Sequence, residues 1–231
     1  MIIYKSLSKA LRDNVEIVIF AMILAFILRS VFVSVYRIPT GAMAPEILAG
    51  DFIFADKTAY GFSLKFWNDS VVQENLIKRG DVVMFTCPKN LSSHCIKRVV
   101  GLPGDVILIS GNEIKSVNGV DVEYEGVELA KSDTLSLREP KFESILGAKW
   151  QVLGLGASKA EPVKVSVPKG SLFVLGDNRE ISFDSRIWGM VPVQLVHAKA
   201  KRVWLSLDWQ QTWANGALPG FRWKRFFKQI R

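Results

Sequence analysis

"RIPTGAMAPEILAGD" (residues 37–51) follows the most apolar part of the chain and has the composition of an active-site turn. Proline and glycine favour a turn, Thr40 supplies a hydroxyl, and a short apolar run leads into a Gly-Asp pair. At the position where a nucleophile would be expected, the sequence has the methyl group of Ala42. The stretch is therefore either a catalytic loop that lacks its reactive atom or an ordinary turn.

An apolar run, residues 15–36, precedes this turn and predicts a membrane anchor. Its unbroken apolar core, residues 17–28, extends through Tyr36 to roughly 20 residues, the length that a bilayer requires. Arg29 lies near one end, where its long side chain can reach the lipid headgroups. A buried helix of a soluble protein is disfavoured by this length, and a cleavable signal peptide is disfavoured because no small-x-small cleavage site follows.

The charges before the apolar run predict its orientation. Lys5, Lys9 and Arg12 favour a cytoplasmic location for residues 1–14. Residues 37–231 would then form a domain on the outer side of the membrane, close to its surface.

The composition agrees with one anchor and one domain. The chain has 231 residues, of which 49% are hydrophobic, so a sizeable core is possible. Its net charge of +8 suits an anionic membrane surface or a nucleic acid. The basic residues cluster at the two ends of the chain, and the predicted span argues against a nucleic-acid partner.

Strand-like runs rich in β-branched and aromatic residues dominate the chain after residue 50, and turn signals separate them. They predict a mostly β fold, either a β-barrel or paired antiparallel sheets. Residues 106–165 are interpreted as a variable insertion or subdomain, with "SVNGVDVEYEG" as a candidate hairpin.

The two cysteines, Cys87 and Cys95, are separated by seven residues. They are either unlinked thiols in or near a hairpin or, outside the cytoplasm, a local disulfide. No CxxC pair, HExxH motif or glycine-rich phosphate loop is present, so neither a metal nor another cofactor is expected. His94 and His197 lie outside any nucleophile motif and are interpreted as surface or strand histidines.

A lysine base is the remaining catalytic candidate. In "HCIKRVVGLPGD", the alternation of a strand places Lys97 on the same face as Val99. If that face points inward, burial lowers the pKa of Lys97 from about 10.4 and leaves a neutral amine, which a Ser-Lys hydrolase requires. The alternative is a solvated strand lysine.

Three segments together resemble the type I bacterial signal peptidases, membrane-anchored Ser-Lys proteases that remove signal peptides from exported proteins. "RIPTGAMAPEILAGDFIFADKTAYG" is similar to the segment around the family's nucleophile. "KRGDVVMFTCP" and the following "IKRVVGLPGD" resemble the strand with the general-base lysine, and "GDNREISFDSRIWGMVP" resembles the family's third motif. The similarity covers about residues 15–105 and 165–207, and it implies a signal-peptidase fold with one N-terminal transmembrane helix.

The resemblance assigns the catalytic roles. Lys97 matches the general base, Ser182 a hydroxyl that orients the lysine, and Thr40 a donor to the oxyanion, with the N–H of residue 42 as the second donor. Ala42 falls on the nucleophilic serine.

Other motif positions have supporting roles in the resemblance. Asp184 and Arg186 match a structural ion pair, Met43 packs beside the nucleophile turn, and Asp177 belongs to the third motif. Glu46 replaces the usual threonine, with little expected consequence.

Hydrolysis through an acyl-enzyme cannot proceed from a methyl group, so the chain as written is expected to be inactive. Either Ala42 is a deliberate replacement of serine or the chain is a natural non-cleaving relative; the retained Lys97 and Ser182 favour the replacement. A specialised relative with a single substrate is a further alternative.

The resemblance also implies the partners and the location. Signal peptides of secreted preproteins would bind as an added strand, at the outer face of the bacterial inner membrane. Six aromatic residues are candidates for contact with the lipid bilayer, the alternative being core packing: Trp67, Trp209, Trp213, Trp223, Phe226 and Phe227.

Overall fold

The structure of the chain is a computed structural model. It describes residues 15, 17–23, 33–61, 72–127, 139–156, 160–213 and 218–231. Antiparallel β-strands make up most of these residues, which confirms the mostly β prediction.

The main sheet contains the strands that carry all three motifs. Its order is β1 (Val33–Arg37), β2 (Asp51–Asp56), β14 (Val196–Trp213), β3 (Val82–Cys87), β4 (Asn90–Gly101), β12 (Ser171–Leu175) and β13 (Val191–Pro192), with β15 (Leu218–Phe221) paired to β14. Every pairing is antiparallel. Among the described strands, β1 and β13 remain open edges, so the sheet does not close into the barrel that the sequence allowed.

Two smaller sheets form most of the predicted subdomain. One has the order β11 (Val163–Ser166), β5 (Val106–Ser110), β6 (Glu113–Val117), β7 (Val120–Asp121). The other has the order β10 (Ala148–Val152), β9 (Lys141–Ile145), β8 (Glu123–Gly126).

The predicted hairpin in this region is present between β6 and β7. Val117 pairs with Val120 across the two-residue turn Asn118-Gly119. Asn118 has a φ of 55° and Gly119 a φ of 80°, the left-handed conformations that a tight hairpin turn of this kind needs.

Helices are few and short in the described part of the chain. An α-helix spans Ser185–Trp188, and single 3-10 turns occur at Glu74–Leu76, Val193–Leu195 and Trp223–Arg225. Residues 17–23 are helical and exposed.

The predicted anchor needs a correction at its end. It was expected to extend to Tyr36, but β1 begins at Val33, and Tyr36 pairs with Ile53 of β2. Hydropathy gives the same signal for a membrane helix and for a half-buried apolar strand, so it does not mark where the predicted anchor ends and β1 begins. The rest of the predicted span lies partly outside the described residues. Among the helical residues that the structure describes, no stretch has the length and apolar character needed to span a bilayer.

The turn after β1 is anchored in the core. Ile38, Met43 and Ile47 are at most 2% exposed and belong to one apolar cluster with residues of β2 and β14. A second cluster on the other side of the sheet contains Val83 and Val99. Each fully buried side chain of this kind contributes about 1.5–3 kcal/mol, so the backbone on both sides of the motifs is held firmly.

Candidate active site

The turn between β1 and β2 is closed at its base by backbone hydrogen bonds. The N–H of Ile38 donates to Asp51 O at 2.8 Å, and the N–H of Gly50 donates to Ile38 O at 2.8 Å. Within the turn, Ile47 N donates to Met43 O at 2.9 Å. Met43 therefore packs beneath the turn, while Ala42 is buried at its tip.

Lys97 lies in the middle of the main sheet. It pairs with Val83 of β3, and its side chain is 7% exposed, on the face that the strand alternation predicts. Among the described residues it has no ion-pair partner. Burial lowers the pKa of Lys97 below its ordinary value, although Asp184 and Asp177 act in the opposite direction. Burial therefore shifts the balance towards the neutral amine.

Gly176 is the point at which the three motifs meet. Leu175 pairs with Arg98, so the next step in this antiparallel register places Gly176 opposite Lys97. A Cβ atom added at Gly176 would lie 2.2 Å from Ser182 Oγ and 2.6 Å from the carbonyl oxygen of Ala42. Only glycine allows such a close approach, and it brings Ala42, Ser182 and the backbone beside Lys97 together.

The Ser182 hydroxyl is buried and makes no hydrogen bond of normal geometry among the described residues, although it lies close enough to Asp184 to help hold the pKa of that carboxyl low. A buried polar atom without a partner costs about 1–3 kcal/mol, and such atoms require an explanation in a folded protein. It lies beside Gly176, the residue that the strand register places opposite Lys97.

Asp184 and Arg186 form the ion pair that the resemblance implies. Arg186 Nε donates to Asp184 Oδ1 at 2.9 Å, and the N–H of Gly176 donates to Asp184 Oδ2 at 3.0 Å. Burial alone would raise the pKa of Asp184, but Arg186 and the Gly176 N–H hold that pKa below its ordinary value. The charged carboxylate thus fixes the loop that follows β12.

Sequence reasoning missed two buried arginines. Arg98 binds Asp177 through both carboxylate oxygens at 2.7 and 2.6 Å, and both side chains are 1% exposed. Arg179 binds Glu143 of β9 in a second buried pair, with one contact of 2.8 Å. A charge inside the apolar run "IKRVVG" was the only available signal for Arg98, because a buried charge requires a partner.

Thr40 and Glu46 lie on the same turn as Ala42. Thr40 is exposed, so its hydroxyl is accessible from solvent. Glu46 was expected to matter little, but its carboxylate binds Lys228 Nζ at 3.1 Å and the N–H of Arg231 at 3.2 Å. The motif alone could not reveal these partners, because they lie far away in the sequence.

The histidines and cysteines lie on β3, β4 and β14. Cys87 and Cys95 form a disulfide, which decides between the two alternatives left by the sequence. His94 and His197 are exposed strand residues, as predicted, and their ring centroids are 5.6 Å apart. In the described part of the chain, no group of three or more His, Cys, Asp or Glu side chains is arranged to hold a metal ion.

Comparison with known proteins agrees with these motifs. Residues 11–205 match the family described as "Signal peptidase, peptidase S26", which includes all three motifs. The chain belongs to this signal peptidase family. Its members are proteases of signal-peptide processing, so a peptidase scaffold is established for the chain.

Relatives named signal peptidase I match over most of their length. The Pseudomonas fluorescens protein is 35% identical over 198 residues, covering 80% of this chain and 69% of the relative. A Buchnera aphidicola protein (subsp. Schizaphis graminum) is 33% identical, covering 84% and 75%. The Rickettsia massiliae protein is 34% identical, covering 81% and 77%. A crystal structure of signal peptidase I from Enterococcus faecalis V583 is 26% identical, covers 53% of this chain and 95% of that chain, and has a TM-score of 0.32.

Proposed function

We propose that the chain is a membrane-bound Ser-Lys signal peptidase whose nucleophile position carries Ala42, so that the chain as written does not cleave. The proposal is supported by the burial of Lys97, whose place in β4 lies opposite Gly176 in the extended strand register, and by the close approach of Ser182 and Ala42 to that glycine. The substrates are the signal peptides of exported preproteins.

In the serine form, the neutral amine of Lys97 takes the proton from the hydroxyl at position 42 as that oxygen attacks the scissile carbonyl carbon. Ser182 orients the amine. The Thr40 hydroxyl and the N–H of residue 42 stabilise the oxyanion, and the lysine returns its proton to the leaving amine. That leaving amine is the new N-terminus of the mature protein, and Lys97 then activates a water that releases the signal peptide from the acyl-enzyme and regenerates the serine.

The Ala42 chain stops before the first of these steps, because a methyl group has neither a lone pair nor a proton to transfer. Thr40 does not replace the missing hydroxyl, since it is two residues away and is exposed on the turn. Binding of the signal peptide as an added strand does not need this hydroxyl, because such binding uses backbone hydrogen bonds.

The disulfide and the predicted anchor support an extracytoplasmic domain. Disulfides such as Cys87–Cys95 persist in oxidising compartments and are rare in the cytosol. We place residues 1–14 in the cytoplasm and the folded domain on the outer face of the inner membrane, where signal peptides are cleaved.

Ala42→Ser on the full chain is the decisive experiment. We expect it to convert an inactive protein into one that cleaves a synthetic signal peptide after an Ala-like residue, as detected by mass spectrometry of the products. Lys97→Met in the Ala42→Ser background is expected to lower kcat by at least about 10³-fold, because the nucleophile loses its base. Lys164→Met, at an exposed lysine on β11, is the matched control. A folded Ala42→Ser protein without any cleavage would contradict the proposal.

A natural signal-peptide binder is the second candidate function, favoured by Ala42 itself. It predicts that the parent chain binds a signal peptide and that Ala42→Ser binds equally well without cleaving. If the chain is a peptidase with a single substrate, the Ala42→Ser protein should cleave only one preprotein of a panel. The same cleavage assay therefore separates the general signal peptidase, the non-cleaving binder and the single-substrate peptidase.

A further inference from the structure

The segment 222–231, called here the clamp segment, lies against the turn that carries residue 42. Its contacts converge on Glu46, four residues after Ala42. Lys228 Nζ donates to the Glu46 carboxylate at 3.1 Å, and the N–H of Arg231 donates to the same carboxylate at 3.2 Å. The turn is therefore held by charges from a distant part of the chain.

Arg225 holds the backbone and the end of the same turn. Its NH2 group donates to Glu46 O at 2.9 Å and to Asp51 Oδ2 at 2.5 Å. Asp51 is fully buried and also accepts the N–H of Leu48 at 2.9 Å. One guanidinium thus links two points of the turn, at the start of β2 and near its tip.

The far end of the clamp segment reaches the loop after β12. Arg98 Nη1 donates to a main-chain oxygen of Arg231 at 2.6 Å, while the same guanidinium binds Asp177 through both carboxylate oxygens. The neighbouring Asn178 donates its N–H to the carbonyl oxygen of Ala42 at 3.1 Å. A closed path of contacts therefore runs from Ala42 through Asn178, Asp177, Arg98 and the clamp segment back to the turn.

Glu46 is the member of this path that departs from the family motif, which usually has threonine there. A threonine side chain is too short to accept both Lys228 and the N–H of Arg231. The Glu46 side chain is 13% exposed and the Lys228 side chain is 35% exposed, and neither residue belongs to the apolar cluster beneath the turn. The pair is suited to fixing a position, because it adds two directed contacts without adding buried apolar surface.

We infer that Glu46 and Lys228 are positioning residues for the nucleophile, holding residue 42 at the distance from Lys97 that proton transfer requires. The inference rests on the proposed function. Displacing a reacting group by about 1 Å can lower a rate by about 10²-fold, whereas a small rotation of the turn leaves peptide binding largely intact. Loss of the contacts therefore lowers kcat more than it changes KM.

The first test uses the full chain with Ala42→Ser as the active parent. Glu46→Thr is expected to lower kcat on the order of tenfold with KM within about twofold of the parent. Glu46→Gln, which keeps an acceptor for the Arg231 N–H, is expected to recover most of the loss. Glu125→Thr, which removes the exposed Glu125–Lys149 ion pair on another sheet, is expected to leave kcat unchanged.

Lys228→Met and the double variant Glu46→Thr with Lys228→Met complete a double-mutant cycle in the Ala42→Ser parent. Lys228→Met is expected to reproduce part of the kcat loss of Glu46→Thr, because the Arg231 N–H still bonds to Glu46, and the double variant is expected to be no slower than Glu46→Thr, since the Lys228 contact is absent from both. Additive losses, or equal losses in Glu46→Thr and Glu125→Thr, would overturn the positioning role.

Amide hydrogen exchange on the Ala42 chain gives a readout without activity. Glu46→Thr is expected to accelerate exchange at Ala44 and Ile47, whose N–H groups bond within the turn, by about tenfold or more, and Glu125→Thr to leave them unchanged. If the Ala42→Ser parent does not cleave, the proposed function fails. Amide hydrogen exchange still tests whether Glu46 holds the turn, because it does not depend on activity. Unchanged exchange in Glu46→Thr would refute the inference.

Discussion

The backbone N–H of Asn178 donates a hydrogen bond to the carbonyl oxygen of Ala42 at 3.1 Å. This bond joins the loop after β12 directly to the turn between β1 and β2. The N–H of residue 42 belongs to the same turn, so its direction depends on the bond between the two segments. Gly176 makes that approach possible, since it has no side chain between Ser182 and the turn.

Gly176→Ala is therefore expected to be strongly disruptive. The added methyl would lie 2.2 Å from Ser182 Oγ and 2.6 Å from Ala42 O, both far inside van der Waals contact. Overpacking of this kind costs about 1–3 kcal/mol, which urea denaturation measures directly. In the Ala42→Ser background, the same change is expected to abolish cleavage, because the two segments must separate.

Gly126→Ala is the control for this prediction. No atom lies within 4 Å of a Cβ at Gly126, so its stability should remain within about 0.5 kcal/mol of the parent. Equal stability of the Gly176 and Gly126 variants would show that the two segments are not in contact.

The buried amine of Lys97 makes the free energy of unfolding depend on pH. Lys97→Met removes this contribution and so reveals it by comparison with the parent. Burial lowers the pKa of Lys97 in the folded chain, so between that pKa and about 10.4 the unfolded chain binds a proton that the folded chain does not. Stability of the parent therefore rises with pH across this window, by up to about 1.4 kcal/mol per pH unit. Lys97→Met lacks this rise, so its advantage over the parent is largest at the acidic end and disappears towards pH 10.4.

Urea denaturation of both proteins across the window measures the difference. Lys164→Met is the control, because Lys164 is exposed and its replacement leaves the slope of the parent unchanged. A pH-independent difference between Lys97→Met and the parent would mean that the amine is solvated and charged throughout.

The strands were largely predictable from the sequence because β-branched runs bounded by turn residues have few alternatives. "VVMFTC" and "SLFVL" form β3 and β12 as expected. Val33–Tyr36 was assigned to the anchor because a strand buried in a sheet and a helix in lipid share the same hydropathy. Only the pairing with β2, which no local pattern encodes, distinguishes them.

The sequence predicts the candidate site residues because they lie in motifs. It does not predict the charged residues that bind around them. Three motifs in order predict Lys97, Ser182 and Ala42, and the pairing of β4 with β12 accounts for the position of Gly176, which Ser182 and Ala42 approach closely. Arg98 and Asp177 are 79 residues apart, and Lys228 and Glu46 are 182 residues apart. A single sequence shows that a charge occurs in an apolar run or a motif, but it does not show which distant charge neutralises it.

Contact with the membrane surface is the remaining function that the aromatic residues predict. Four of the six candidates are exposed: Trp209, Trp223, Phe226 and Phe227. Trp67 and the side chain of Trp213 lie outside the described residues. The rings of Phe226 and Phe227 are 4.7 Å apart at their centroids, and Phe227 is 6.2 Å from the half-buried Phe54, so these three rings are contiguous.

A fragment of residues 33–231, which retains β1, is expected to bind vesicles containing anionic lipid, and added salt should weaken the binding. Phe226→Ala with Phe227→Ala removes two rings from the interface and is expected to weaken partitioning by on the order of tenfold or more. Val120→Ala, at an exposed apolar residue of β7, is the matched control and should not change it. Vesicle sedimentation measures the partitioning of all three proteins. If partitioning is equal in the three, or if the parent fragment does not bind, the predicted anchor is the only attachment to the membrane. Both phenylalanines lie in the clamp segment, which also contains Lys228. Lys228→Met should leave partitioning largely intact because it removes no aromatic ring, whereas Phe226→Ala with Phe227→Ala should reduce it.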